Sequence, residues 1–115
     1  MTGGDRGDPG LGPSEGDEIV VKVGLYVRLE AAAGSEDEVA AFLQQGQALV
    51  EDEPGTIVWY AIRLGPSTFG IFDAFEDDAG RDAHLNGKVA QGLSDNAKLF
   101  AEPPSIERVD VLASK

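Results

Sequence analysis

The chain has 115 residues, with 9 Lys and Arg against 21 Asp and Glu, a formal net charge of −12 at pH 7, and no Cys. This length predicts one domain, and the lack of Cys excludes disulfides, thiolate metal sites and a thiol nucleophile. With a single His, a multi-histidine metal site is excluded, and the acidic balance without a basic cluster argues against binding nucleic acid or an anionic membrane.

Residues 1–17 are rich in Gly, Pro and acidic residues and contain no aromatic residue. Such a segment buries too little apolar surface to offset chain entropy, so we expect a flexible tail followed by one domain over residues 18–115. Within the tail, residues 12–16 match the G-x-S-x-G nucleophile motif, but the strand and helix that the motif needs are missing. The start resembles no secretory signal, and no apolar run reaches membrane-helix length, so a cytoplasmic location is expected.

The first two elements of the domain are a strand and a helix. Apolar residues alternate with period two over residues 18–30, which predicts a long strand with one strongly apolar face. Ser35 and Glu38 then have the spacing of a capping box that starts a helix. The helix carries an apolar stripe in which Gly46 indicates a close approach to the sheet. That stripe consists of Val39, Phe42, Leu43, Gly46, Leu49 and Val50.

Two strands follow, over residues 56–64 and 68–75, and the turn at residues 65–67 joins them as a hairpin. Next, Asp77 is the predicted N-cap of a short helix that ends near residues 86–87. We expect one side of this helix to carry Ala79, Ala83 and His84. A second helical segment is marked by Val89, Leu93, Ala97 and Phe100, and residues 106–113 form a closing strand.

The predicted order is therefore β-α-β-β-α-β, which is typical of a ferredoxin-like α+β fold with a four-stranded antiparallel sheet and helices on one face. The hairpin has apolar residues on both faces, with Trp59 and Phe69 on one and Tyr60 and Phe72 on the other. Because a monomer would leave one of these sets in water, we predict a homodimer in which two sheets face each other. A tail that covers the second face is the alternative.

Residues 53–85 combine an E-P-G-T turn, an aromatic-bearing strand, Asp73 two residues before Phe75, and the strings E-D-D-A and A-H-L. This pattern resembles the antibiotic biosynthesis monooxygenase family, and the resemblance extends over residues 18–113. It implies a dimeric α+β barrel and an oxygenase that uses O₂ on a small quinol- or anthrone-like aromatic, without metal or other cofactor. The haem-degrading members resemble the chain least, because Ser94 stands where their helical His lies.

The resemblance places His84 next to the pocket, and the residues predicted around it complete a candidate site. His84 is expected to act as general base, and Asp73 is expected to orient it. An apolar pocket would hold the flat substrate, with two side chains donating hydrogen bonds to a ring oxygen. The pocket residues are Phe42, Trp59 and Phe75, and the donors are Tyr26 and Arg63.

Most of these residues also have a purely structural interpretation. His84 is equally consistent with a packing or capping role, Trp59 with the core or an interface, and Tyr26 with an interface. Arg63 and Asp73 could form a cross-strand ion pair. For the whole chain, the alternatives to an oxygenase are a non-catalytic module for binding a small ligand or for dimerisation, and an isomerase with the same fold.

Overall fold

A computed structural model describes residues 20–115, so the predicted tail over residues 1–17 lies outside the described residues. The elements are β1 (Val23–Glu30), α1 (Glu36–Val50), β2 (Thr56–Arg63), β3 (Thr68–Phe75), α2 (Asp78–Leu85), α3 (Lys88–Asp95) and β4 (Ser105–Asp110). All neighbouring strands are antiparallel, in the order β2-β3-β1-β4. The ferredoxin-like α+β prediction is therefore confirmed. No helix among residues 20–115 is long and apolar enough to cross a membrane.

The strand register decides which side chains lie under the helices. Leu25 pairs with Asp73, and Asp73 pairs with Trp59, so these residues form one row across the sheet. Directly paired residues share a face. The main core packs on this face, between the strands and α1 and α3. Its buried side chains include Val27, Leu29, Val39, Leu43, Phe69, Ile71 and Leu93.

The opposite face of the sheet is also apolar, and part of it is open to solvent. Tyr60 is 60% exposed and Ile62 is 41% exposed. Tyr26 and Phe72 pair directly on this face and are partly buried. The hairpin therefore has apolar residues on both faces, as the sequence predicts. The homodimer stays a prediction.

The predicted start of α1 is correct in place but wrong in detail. Ser35 occupies the N-cap position, yet its side chain makes no capping hydrogen bond, so the capping box does not form. The acidic residues Glu36, Asp37 and Glu38 in the first turn still favour this end of the helix through its dipole. Further along, the Trp59 ring lies 3.4 Å from where a Cβ on Gly46 would be, which confirms the predicted close approach to the sheet.

The first and the last strand of the chain are shorter than predicted. β1 begins at Val23, although the Lys22 N–H still donates to the Phe75 carbonyl at 2.9 Å. β4 ends at Asp110 and begins one residue early, at Ser105. Beyond these ends the Val111 N–H still donates to the Lys22 carbonyl at 2.9 Å, but β3 ends at Phe75, opposite Val23, so β1 loses its partner on that side.

The buried face of α2 also differs from the prediction. Asp77 does cap the helix, accepting from the Gly80 N–H at 3.0 Å. The buried residues are Arg81 and His84, whereas Ala79 and Ala83 are exposed. Neighbouring residues of a helix point about 100° apart, so Ala83 cannot share the inward direction of His84, whereas Arg81, three residues earlier, can.

The second helical segment ends earlier than predicted. Asn96 caps α3, and its Nδ2 donates to the Gly92 carbonyl at 2.8 Å. Ala97 is exposed in a short 3₁₀ turn, and Phe100 leaves the helical path to pair with Ala31. The apolar spacing that continues to Phe100 therefore reflects burial under the end of β1, not a continuous helix.

Candidate active site

His84 lies between two carboxylates beneath the helices. Its Nδ1 is 2.6 Å from Glu53 Oε1, and its Nε2 is 2.9 Å from Asp73 Oδ2. The Nε2–H does not point squarely at Oδ2, so this contact is a close ion pair and not an aligned hydrogen bond. His84 is 6% exposed and Asp73 is fully buried at 0%. The three residues form a charged centre inside an apolar core.

Three different parts of the fold supply this centre. Asp73 lies on β3, a central strand, and His84 on α2. Glu53 belongs to the turn between α1 and β2, which the Thr56 N–H closes by donating to the Glu53 carbonyl at 3.2 Å. The Thr56 hydroxyl also donates to Glu53 Oε1 at 2.7 Å and lies 3.5 Å from His84 Nδ1.

A β-bulge brings Thr56 to this position. Thr56 pairs with Phe75 and Val58 pairs with Ala74, so Ile57 is the extra residue in β2. Strict alternation would put Thr56 on the face opposite to Trp59. With the bulge, Thr56 shares the face of Phe75, beside His84. Ile57, which alternation places with Trp59, is displaced from the regular pairing.

A glycine allows the Glu53 carboxylate to approach the start of α3. A Cβ on Gly87, the N-cap residue of that helix, would lie 2.6 Å from Glu53 Oε2. The position beside a helix N-terminus also favours the negative charge of Glu53. A side chain at position 87 would therefore force the Glu53 carboxylate to shift from its place beside this helix end.

Arg81 attaches α2 to the sheet. Its Nη1 donates to the Gly24 carbonyl at 3.2 Å and to the Val109 carbonyl at 3.3 Å, and its Nη2 pairs with Asp78 at 2.7 Å. These contacts join α2 to β1 and to β4. His84 lies one turn further along the same helix, so Arg81 helps to hold its ring over Asp73.

The charges of the centre determine the protonation of His84. Burial lowers the pKa of His84, but the Asp73 and Glu53 carboxylates outweigh it and raise the pKa above the ordinary value. The imidazolium form is therefore favoured. In that form the ring carries a proton on each nitrogen, one directed to Glu53 and the other towards Asp73. Neither ring nitrogen is free to contact another molecule.

Asp73 differs from His84 in having an unused oxygen. Its Oδ1 is buried and has no hydrogen-bond partner among residues 20–115, which is costly for a carboxylate. A small cavity of about 30 Å³ is lined by Asp73 and His84 and by apolar side chains from the sheet and α3. This space is large enough for a water molecule or for a single polar group.

A larger groove adjoins this cavity. It has a volume of about 510 Å³ and lies between α3, the segment after it and the start of β4. Ala90, Leu93 and Ile106 line both the groove and the small cavity. The groove and the small cavity therefore adjoin at these three side chains, and the walls of the groove are mostly apolar.

The structure brings some of the predicted site residues together. Asp73 and His84 are in contact, and the Phe75 ring lies 5.5 Å from the His84 ring between centroids. Trp59 is the direct cross-strand neighbour of Asp73, and its Nε1 is buried without a partner. The Trp59 indole packs against α1 at Gly46 and does not line the groove or the small cavity.

The remaining predicted residues lie elsewhere. Tyr26 is on the opposite face of the sheet, so it cannot donate to a molecule beside His84. Arg63 lies over the Phe69 ring at 4.6 Å and donates to the Pro66 carbonyl, so the predicted ion pair with Asp73 is not formed. Phe42 packs against the core and against Gly92. The cross-strand neighbour of Asp73 in β2 is Trp59, and Arg63 lies four residues further along that strand. The guanidinium of Arg63 is therefore too far along the strand to pair with the Asp73 carboxylate.

The sequence analysis does not predict a site role for Glu53 or for the residues that line the groove. In the sequence, Glu53 stands out only as the first residue of the E-P-G-T turn. An acidic residue in the turn that leads into β2 is a weak signal for it, because β2 lies beside the strand that carries Asp73. The groove has no signal in sequence spacing, because its walls come from α3, the following turn and β4. Among residues 20–115, no group of three or more potential ligands is arranged to hold a metal ion.

Comparison with known proteins supports a family assignment. No protein-family model and no curated protein matches the chain. The solved structure of NE2512, a protein of unknown function from Nitrosomonas europaea, is 50% identical, with a TM-score of 0.83, over 85% of this chain and 96% of that chain.

More distant structures share the fold. A "putative antibiotic biosynthesis monooxygenase" from Nitrosomonas europaea is 16% identical, with a TM-score of 0.71, over 79% of this chain and 90% of that one. A structure with the same description from Deinococcus radiodurans is 19% identical, with a TM-score of 0.67, over 81% of this chain and 95% of that chain. The chain thus belongs to the same family as NE2512 and has the fold of the antibiotic biosynthesis monooxygenases.

Proposed function

We propose that this protein is a cofactor-independent monooxygenase that oxidises a small hydroxylated aromatic, of the quinol or anthrone type, with O₂. The observation that carries the proposal is Asp73 Oδ1, a buried acceptor without a partner among the described residues, in a small cavity that adjoins an apolar groove. A substrate hydroxyl that enters the small cavity would satisfy this oxygen. The fold shared with antibiotic biosynthesis monooxygenases supports the same reaction type.

In this proposal Asp73 is the general base, and His84 positions it. This reverses the roles expected from the sequence, because both ring nitrogens of His84 already face carboxylates. Asp73 keeps Oδ2 against the ring and offers Oδ1 to the substrate. The positive ring stabilises the anion that forms when the hydroxyl loses its proton. Glu53 keeps the ring protonated and fixes its orientation.

The chemistry needs no external reductant. Asp73 takes the hydroxyl proton of a hydroquinone, and the resulting anion is rich enough in electrons to reduce O₂. The substrate supplies all four electrons. One oxygen atom becomes a new oxygen substituent on the product quinone, and the other leaves as water. The apolar groove would exclude bulk water from the reactive anion.

The proposed enzyme acts as a homodimer. The exposed apolar residues of the second face, including Tyr60 and Ile62, support this arrangement because a second copy of the same face would cover them. His84 and Asp73 lie on the helix-covered face, so each subunit would carry its own site.

An oxygen-electrode assay with a panel of hydroquinones, naphthols and anthrones tests the function. We expect at least one compound to stimulate O₂ uptake, with ¹⁸O from ¹⁸O₂ in the product, after treatment of the protein with a chelator. Asp73→Asn should lower the rate by about 100-fold or more, in the range of general base catalysis. Asp110→Asn, an exposed site on β4, is the matched control and should keep full activity.

Two results would contradict the proposal. One is a compound that binds in the groove without O₂ uptake above the Asp73→Asn background, which would indicate a binding module. The other is anaerobic conversion of the substrate to an isomer. Thermal unfolding of each variant, measured in parallel, distinguishes loss of the catalytic base from loss of the folded structure.

A further inference from the structure

We infer that the site accepts uncharged, lipophilic hydroxyaromatics and rejects anionic ones, and that Glu102 is the residue that sets this preference. The inference rests on the proposed function, since it concerns the substrate of the same site. It follows from the shape of the site and from the sign of the charges along it.

The dimensions of the site determine how a substrate lies in it. The inner cavity, at about 30 Å³, holds no more than a hydroxyl group or a water molecule. The groove outside it, at about 510 Å³, has room for an aromatic ring system with a substituent. A substrate must therefore present a hydroxyl group at its narrow end and keep its bulk between α3 and β4.

The walls of the groove favour an apolar ligand. They consist mainly of aliphatic, aromatic and proline side chains, among them Leu93, Phe100, Pro103, Pro104 and Ile106. The polar exceptions are Ser94 and Glu102. A flat lipophilic molecule would gain about 25 cal/mol for each Å² of apolar surface that it buries here.

The net charge along the site opposes a substrate that carries its own negative charge, since carboxylates outnumber the single imidazolium of His84. Glu102 is the charged residue of the groove, and no Lys or Arg of the described chain lines the groove or the inner cavity. At the inner end, Asp73 and Glu53 place two carboxylates against one imidazolium. The chain as a whole carries −12. A carboxylate or sulfonate on the substrate would thus meet negative charge at both ends of the site, where the His84 cation is already paired with Glu53 and Asp73.

A matched pair of probes tests the inference: 6-hydroxy-2-naphthoate and its methyl ester, which differ by one charge on the same hydroxyaromatic. Binding is measured by calorimetry at 20 mM and at 300 mM NaCl. We expect the ester to bind at least about tenfold more tightly than the carboxylate at low salt, with the ratio falling at high salt as the charges are screened.

Glu102→Gln is the decisive variant. At low salt it should reduce the ratio of the ester's affinity to the carboxylate's affinity by about fivefold, because one nearby repulsive charge is removed. Glu107→Gln is the matched control, since it removes the same charge from β4 on the opposite face of the sheet, where Glu107 pairs with Tyr26. It should leave the ratio unchanged.

Equal affinities for ester and carboxylate in the wild-type protein would overturn the inference, as would failure of the ester to bind at all. An equal response to Glu102→Gln and Glu107→Gln would also overturn it, since net charge alone would then explain the preference. These results differ from failure of the proposed function, which is an absence of O₂ uptake by a protein that does bind the neutral probe.

Discussion

The two faces of the sheet differ in what they do with polar and apolar side chains. The face under the helices encloses Asp73 and His84 within the core, with Glu53 at its border. The opposite face leaves Tyr60 and Ile62 open to solvent. Both arrangements are unfavourable for stability. Charged groups such as Asp73 and His84 are costly in a core, and apolar groups such as Ile62 are costly in water.

This contrast teaches that both faces carry information about function. A buried charged group and an exposed apolar patch are the two observations that generic folding does not explain. On the covered face, the charged centre lies at the end of a groove that can admit a ligand. On the open face, the apolar residues fit a partner with the same surface. Three predictions test whether the faces have these separate roles.

The largest effect is expected on the covered face. His84→Gln removes the cation and leaves Asp73 buried beside Glu53 without an opposite charge, which we expect to lower the free energy of unfolding by about 3 kcal/mol. Glu53 is partly exposed, so the loss lies at the lower end for a broken buried pair. Urea denaturation measures it. Combining His84→Gln with Asp73→Asn should recover part of the loss, and recovery of none would contradict an ion-pair role.

The same experiment has a defined pH dependence. The pKa of His84 is raised in the folded protein, so its contribution to stability is fully present below the unfolded pKa of about 6.5. The contribution is lost as pH rises through the folded pKa. The difference in unfolding free energy between the wild-type protein and His84→Gln should therefore be larger at pH 6 than at pH 9. A difference that grows with pH would contradict this sign.

The second prediction concerns the open face. Tyr60→Glu places a charge in the centre of the proposed dimer contact and should weaken self-association by about 100-fold or more, because the carboxylate has to be desolvated. Sedimentation velocity should then show a 12.1 kDa particle where the wild-type protein is twice that mass. Gln91→Glu, on the exposed side of α3, adds the same charge and should leave the dimer intact. A wild-type protein that sediments as a monomer would remove the assigned role of this face.

The smallest effect is expected from a variant that shifts the Glu53 carboxylate within the charged centre. Gly87→Ala should displace Glu53, since the new Cβ would lie 2.6 Å from Glu53 Oε2, and thereby lower the pKa of His84 towards its ordinary value. His84 is the only His, so a single histidine signal in an NMR titration reports the change. The cost in stability should be about 1 kcal/mol.

Gly65→Ala is the matched control, because a Cβ at Gly65 meets nothing within 4 Å. It should leave the His84 titration unchanged. An unchanged titration in Gly87→Ala as well would show that Glu53 does not depend on this glycine.

Local patterns were enough to predict the fold. Alternation identified β1, β2 and β3, and the N-cap at Asp77 and the glycine at Gly46 were both correct because each depends on residues close by in sequence or on one packing contact. The errors are of another kind. Ala83 was placed with His84, and Phe100 was placed in a helix, because apolar spacing does not report where a helix rotates or ends.

The site was predicted only in part. Asp73 and His84 were chosen through the family resemblance, and the structure brings them to 2.9 Å. Tyr26 and Arg63 were assigned to the same pocket, but the register puts Tyr26 on the other face and Arg63 beside Phe69. Glu53, 31 positions from His84, was not recognised as a partner at all.

The sequence by itself therefore determined the order of helices and strands and the two apolar faces of the hairpin, since both follow from the periodic placement of side chains along the chain. Only the tertiary structure decided that Glu53 and Asp73 occupy both nitrogens of His84, and that Asp73 Oδ1 is the free atom. That choice depends on the bulge at Ile57, the rotation of α2 and the space left by Gly87. Each of these is set by contacts between segments far apart in the chain.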